Sequence, residues 1–108
     1  MPCTETQVRQ TLENLATVLS SFGCGLDNIV SMNVFVSDPE TYKVFQSVRP
    51  QVLTAPYPAS TAIGAGRLLA DGMRIEINAI ACTGARRVPV QPTNAVSAAA
   101  VAAGISGR

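Results

Sequence analysis

The sequence predicts an α+β domain of two helices and three strands, and three patterns predict it. Residues 73–81 alternate strictly, with Met73, Ile75, Ile77, Ala79 and Ala81 pointing one way and Arg74, Glu76 and Asn78 the other. Val8, Leu12, Leu15, Leu19 and Phe22 recur at helical spacing. Between them a second alternating run, residues 29–37, leads into Asp38-Pro39-Glu40, which has the chemistry of a helix start. With 108 residues the chain is long enough for one compact core and short for two.

The first helix is expected to begin at Thr4, whose hydroxyl can cap, with Gln7 three residues on to complete a capping box. Ala16 and Val18 lie beside the apolar stripe, and Arg9, Glu13, Asn14 and Thr17 fall on the wet face. Gly23 and Gly25 offer the positive φ that ends such a helix. In the first strand Val30, Met32, Val34 and Val36 share one face, and Ser31, Asn33 and Phe35 the other. Asp38 is suited to capping the second helix, Pro39 to its first position and Glu40 to the positive end of its dipole. Tyr42, Phe45 and Val48 form its buried stripe, and Pro50 is expected to end or kink it. Residues 54–58 make a stiff, extended lead-in to a strand at 57–63. Asp71-Gly72 is then expected to close a hairpin between that strand and 73–81. Beyond Cys82 prolines and glycines punctuate an Ala/Val/Ser stretch, so the domain is placed at 1–82 and a loosely packed tail at 83–108. A short Ala-rich helix at 95–103 is the competing reading.

Composition excludes several chemistries. No apolar run is long enough to span a bilayer, and residues 1–5 show no signal-peptide pattern, so a cytoplasmic protein with no membrane partner is expected. A formal charge of +1, with acids and bases interspersed, argues against a nucleic-acid surface. Arg86-Arg87 is the single basic doublet and is read as a solvated pair. Cys3, Cys24 and Cys82 fit reduced thiols rather than a disulfide framework, with Cys82 taken as buried. The chain has no histidine, which removes Ser-His-Asp and Cys-His catalysis and any imidazole zinc site. No metal and no cofactor are expected. Any chemistry must use carboxylate, guanidinium, backbone groups or ordered water.

Pro58-Ala59-Ser60-Thr61 followed by Ile75-Glu76-Ile77-Asn78-Ala79-Ile80-Ala81 resembles the closing half of the YjgF/Rid family, whose best-known members hydrolyse enamines and imines as homotrimers. Residues 7–15 resemble that family's first helix, 26–38 the strand after it, and Tyr42, Phe45 and Val48-Arg49 its second helix. The resemblance covers roughly residues 4–82 in the family's order. It implies a chorismate-mutase-like mixed sheet with two helices packed on one face, shortened at the N-terminus because the family's opening strands have no counterpart before Thr4. It also implies a homo-oligomer, a trimer, with a small-molecule ligand in clefts between subunits.

The resemblance singles out Glu76 as the catalytic carboxylate that would direct a water onto an imine carbon. A carboxylate near the middle of a strand must in any case be solvated or paired. Its competing role is a surface acid pairing with Arg74 or a neighbouring subunit. Deaminating members carry an arginine where this chain has Ser60, whose hydroxyl brings no charge to a substrate carboxylate. Arg67 is the nearest basic residue that could substitute for it, or else an exposed loop charge. Gln46 stands closest to an asparagine that relatives place in the second helix, and Tyr57 between two prolines could line a pocket. Ser60, Arg67, Gln46 and Tyr57 are therefore the candidate ligand-binding residues. The readings left by the sequence are a Rid-like imine hydrolase, a non-catalytic metabolite-binding or regulatory trimer using the same cleft, and a purely structural or vestigial remnant. A ribonuclease, a label some relatives carry, gains little from so weak a basic character.

Overall fold

A computed structural model describes residues 3–89; the Ala-rich stretch at 95–103 lies outside them. The elements follow in the order α1 (Thr4–Ser20), β1 (Ile29–Val36), α2 (Pro39–Val52), β2 (Ala59–Gly64) and β3 (Ile75–Ala81). The sheet is mixed, in the order β2-β1-β3, with β1 parallel to β2 and antiparallel to β3. Both helices pack on one face, where Val8 and Leu12 of α1 and Phe45 and Val48 of α2 meet Ile29, Met32, Val34, Val36 and Ile75 of the sheet.

The expected hairpin is not formed, because β1 lies between β2 and β3. Alternation fixes which residues share a face but not which strands are neighbours. The strand with the most buried apolar residues, β1, takes the middle, where helices cover its inner face. The connection at 65–74 instead arches over the end of β1. Ala65 N–H donates to Val36 O (2.8 Å) and Ser37 N–H to Arg74 O (2.9 Å). Asp71-Gly72 does form a turn, with Gly72 at φ +81° where a side chain would be strained.

Gln7 fixes that turn from a distance. Its Nε2 donates to Gly72 O (2.9 Å), and its Oε1 accepts from Arg74 N–H (3.1 Å). The capping box expected of Thr4 and Gln7 is absent for this reason: the helix starts a residue earlier, with Cys3 as its cap residue, and the Gln7 amide is committed to the turn. At the other end α1 stops at Ser20 and the chain turns through Gly23 at φ +72°, while Gly25 keeps an extended φ of −130°. Phe22 leaves the apolar stripe with that turn and is 72% exposed.

Within β1 the pairing to β3 slips between Ile29 and Ser31, so Val30 is an extra residue in a bulge. Ile29 takes the buried position expected of Val30, which turns outward. In β3 the expected alternation holds from Ile75, which is buried, to the exposed Glu76, Asn78 and Ile80. Helix α2 runs two residues past Pro50 rather than ending there. Pro50 and Gln46 are both on the exposed side, where water can meet the carbonyl that the missing N–H leaves free.

Asp38 caps α2 as its chemistry dictates, accepting from Thr41 N–H (2.8 Å), Thr41 Oγ1 (3.0 Å) and Ser37 Oγ (2.9 Å). The Thr41 amide, then the Ser37 and Thr41 hydroxyls, with a smaller contribution from the Arg74 charge, hold its carboxyl below the ordinary value of 3.8. A folded-state value below the unfolded one adds stability above pH 3.8 that fades as the pH falls through the folded value. Asp38→Ala is therefore expected to lower the urea midpoint at pH 7, with the gap to the wild type closing as the acid limb is reached.

Candidate functional site

The face of the sheet away from the helices is where β3 shows its polar side. Cross-strand partners share a face, so Glu76 stands with Phe35, and Asn78 with Asn33. The Asn33 Nδ2 donates to Asn78 Oδ1 (3.1 Å). Half-buried Phe35 and the exposed Ile63 and Ile80 add apolar surface to this face, and Ser31 and Thr61 add hydroxyls. Glu76 is exposed and, among the described residues, accepts no side-chain hydrogen bond and has no ion pair. Arg74, its expected alternative partner, turns to Asp38 instead (3.4 Å). Glu76 also borders a groove of about 320 Å³ between α1 and β3, lined by Asn14, Val18, Met73 and Ile77.

Ser60 is elsewhere. Its partner in β1 is Met32, a buried residue of the helix-covered face, whereas the partner of Glu76 is Phe35 of the open face. The two candidates thus project from opposite faces of outer strands that lie about 10 Å apart across β1 at ordinary strand spacing, and their partners Met32 and Phe35 are offset along it. A single chain does not bring them together.

The remaining candidates divide. Arg67 donates to Asp71 (2.6 Å) in a pair whose side chains are 81% and 90% exposed, and so has the contacts of a solvated loop charge. Gln46 is exposed on α2. Tyr57 is half-buried and lines a groove of about 220 Å³ with Asp27, Val30, Pro58 and Arg86. Its ring lies under the Arg49 guanidinium, whose central carbon is 4.6 Å from the ring centroid.

Two arginines were missed by sequence reasoning. Arg49 follows Tyr42 and Phe45 at i+7 and i+4 on α2, and a cation on an apolar stripe is the signal that pointed to it. Arg87, read as solvated, is instead enclosed. Its Nε donates to Pro56 O, its Nη1 to Leu26 O (3.1 Å), Asp27 O (3.2 Å) and Ile29 O (3.0 Å), and its Nη2 to Thr54 O (2.9 Å). This ties the lead-in to β2 to the start of β1. Asn28 Nδ2 adds a bond to Ala85 O (2.8 Å).

All three cysteines are free thiols, and Cys82 is exposed rather than buried, because the last strand ends at Ala81 and leaves it at the rim. Cys3 is held below its ordinary value of 9.0 chiefly by the Thr6 hydroxyl, 3.1 Å from its sulfur.

A family model described as Endoribonuclease L-PSP matches residues 3–83, well over half of the chain. The chain belongs to the YjgF/Rid family. Among its relatives, the mitochondrial protein mmf2 of Schizosaccharomyces pombe is 39% identical over 77 residues, covering 69% of this chain and 61% of that protein. The 2-iminobutanoate/2-iminopropanoate deaminase of Salmonella typhimurium is 33% identical over 78 residues, covering 69% of this chain and 60% of that enzyme. The crystal structure of RidA from an Antarctic Psychrobacter superposes with a TM-score of 0.67 at 30% identity, covering 71% of this chain and 62% of that one. The chain spans between about half and two thirds of the length of the curated relatives it matches first. The α+β Rid fold with its mixed sheet agrees with these neighbours. Among the described residues no helix is long and apolar enough to cross a membrane.

Proposed function

We propose that this Rid-family chain hydrolyses small imines or enamines in a cleft between copies of itself, with Glu76 directing the water. The observation that carries the reading is the exposed Glu76 carboxylate, without a side-chain partner among the described residues, on the helix-free sheet face beside Phe35. A carboxylate with no internal partner is available as a proton acceptor. As water adds to the imine carbon, Glu76 takes one of its protons and passes it to nitrogen, giving a carbinolamine. Glu76 then takes the hydroxyl proton and passes it to the amino nitrogen as the C–N bond breaks, so that imine and water become a carbonyl compound and ammonia. The relative from Salmonella typhimurium, a 2-iminobutanoate/2-iminopropanoate deaminase, supports this reading.

The separation of Glu76 from the Tyr57–Ser60 segment supports a shared site. A ligand that uses both must bridge two copies, one giving Glu76 and the other the β2 margin. The apolar residues of the open face suit such a contact, since interface cores are depleted in charge. A trimer is the assembly that the family resemblance implies.

The test is ammonia release from 2-iminobutanoate formed in place by a threonine dehydratase. The wild type is expected to accelerate it, and Glu76→Gln to lower the rate by about 100-fold or more, the usual contribution of a positioned base. Binding of a small ligand without turnover would instead favour a metabolite-binding or regulatory protein using the same cleft.

A further inference from the structure

Between α1 and the outer edge of β3 the described residues leave an apolar channel uncovered. Two grooves there, of about 420 and 320 Å³, share Thr11, Met73 and Ile75 and so run on from one another along the helix. Val18, on the helical wall, is 57% exposed, and Phe22, four residues on, is 72% exposed. Beside the channel, the outer edge of β3 pairs with no described strand. Apolar surface next to an open strand edge marks a place where another segment docks.

The chain itself carries a segment of matching chemistry. Between Arg87 and Arg108 there is no charged residue, and Val90, Val96, Val101 and Ile105 stand among alanines. Segments that stay in water are ordinarily rich in charge, so this composition favours burial. The segment also begins in the right place. Cys24, in the turn after α1, has its sulfur 3.6 Å from the Thr83 hydroxyl, Asn28 Nδ2 donates to Ala85 O, and Arg87 is anchored to Leu26 O. The described chain therefore ends near the turn that follows α1, on the side of the molecule where Val18 and Phe22 stand open. Residues 90–108 would reach about 60 Å if extended and about 28 Å if coiled as a helix, against about 25 Å for the length of α1. Either is enough to follow the channel.

We propose that residues 90–108 fold back along α1 of their own chain and cover this channel, seating their valines and isoleucine against Leu15, Val18, Phe22, Met73 and Ile77. The inference stands apart from the hydrolase reading and does not rest on it.

Two full-length variants test it. Val96→Asp/Val101→Asp/Ile105→Asp charges the segment without altering any described residue. Val18→Asp/Phe22→Asp charges the channel wall at positions open to water in the described structure. The segment variant is expected to melt about 5 °C lower than the wild type and to bind more anilinonaphthalene sulfonate, a dye that reports uncovered apolar surface. The channel variant is expected to keep the wild-type circular dichroism while elastase, which cuts after small apolar residues, removes its segment about ten-fold faster. An unchanged melting temperature and dye signal in the segment variant would overturn the proposal, because a segment lying free in water tolerates three added charges. Equal elastase rates for the wild type and the channel variant would overturn it too, since the segment would then lie elsewhere. Protection that grows with protein concentration would give the channel to a second copy and overturn the fold-back within one chain.

Discussion

Replacing Arg87 with methionine is expected to cost about 2–3 kcal/mol of stability, the order expected when part-buried carbonyls lose a charged donor. Methionine fills similar space but cannot donate, so five backbone oxygens from Leu26, Asp27, Ile29, Thr54 and Pro56 would face an apolar side chain. Arg87→Lys should recover only part of the loss, since one ammonium with three N–H groups cannot serve five carbonyls on two chain segments. The effect should be largely independent of salt, because the guanidinium binds carbonyls and its ion pair to Asp27 is long (3.9 Å). Urea denaturation of the three proteins checks this; a loss below about 0.5 kcal/mol, the level of an ordinary surface substitution, would contradict it.

Arg87 also shows where sequence reasoning stops. Its cage is built by segments some 30 and 60 residues away, and nothing in Ala85-Arg86-Arg87 announces it. Gln7 escaped for the same reason, its amide reading a turn at Gly72 that only the folded chain brings near. Features decided by neighbouring residues were legible. Asp38 caps Thr41 within one turn, and the alternation of β3 assigns Glu76 to the open face without knowledge of its partners. Alternation could not tell a hairpin from two strands separated by a third, so the neighbours of β2 and β3 were misassigned. At Val30 a single inserted residue reversed the expected face. Arg67 looked apt because it was the nearest cation in sequence, whereas the fold holds it to Asp71 on an exposed loop.

The second large effect is expected at Phe45. Its ring is fully buried, stacks on Tyr42 with centroids 6.1 Å apart, and belongs to the cluster joining α2 to β1. Phe45→Ala should cost about 3–5 kcal/mol, from lost burial and from the cavity the helix cannot collapse to fill. Glu76 on the far face of the sheet would stay exposed. Thermal and urea denaturation of the variant against the wild type check the loss, and a cost below about 1 kcal/mol would contradict it.

The central claim is that the functional cleft lies between copies of the chain, because Glu76 and Ser60 face opposite ways in any one of them. Sedimentation equilibrium at micromolar concentration tests this most directly. The claim predicts a single species of three times the chain mass that keeps its secondary structure. A folded species at the mass of one chain would contradict it.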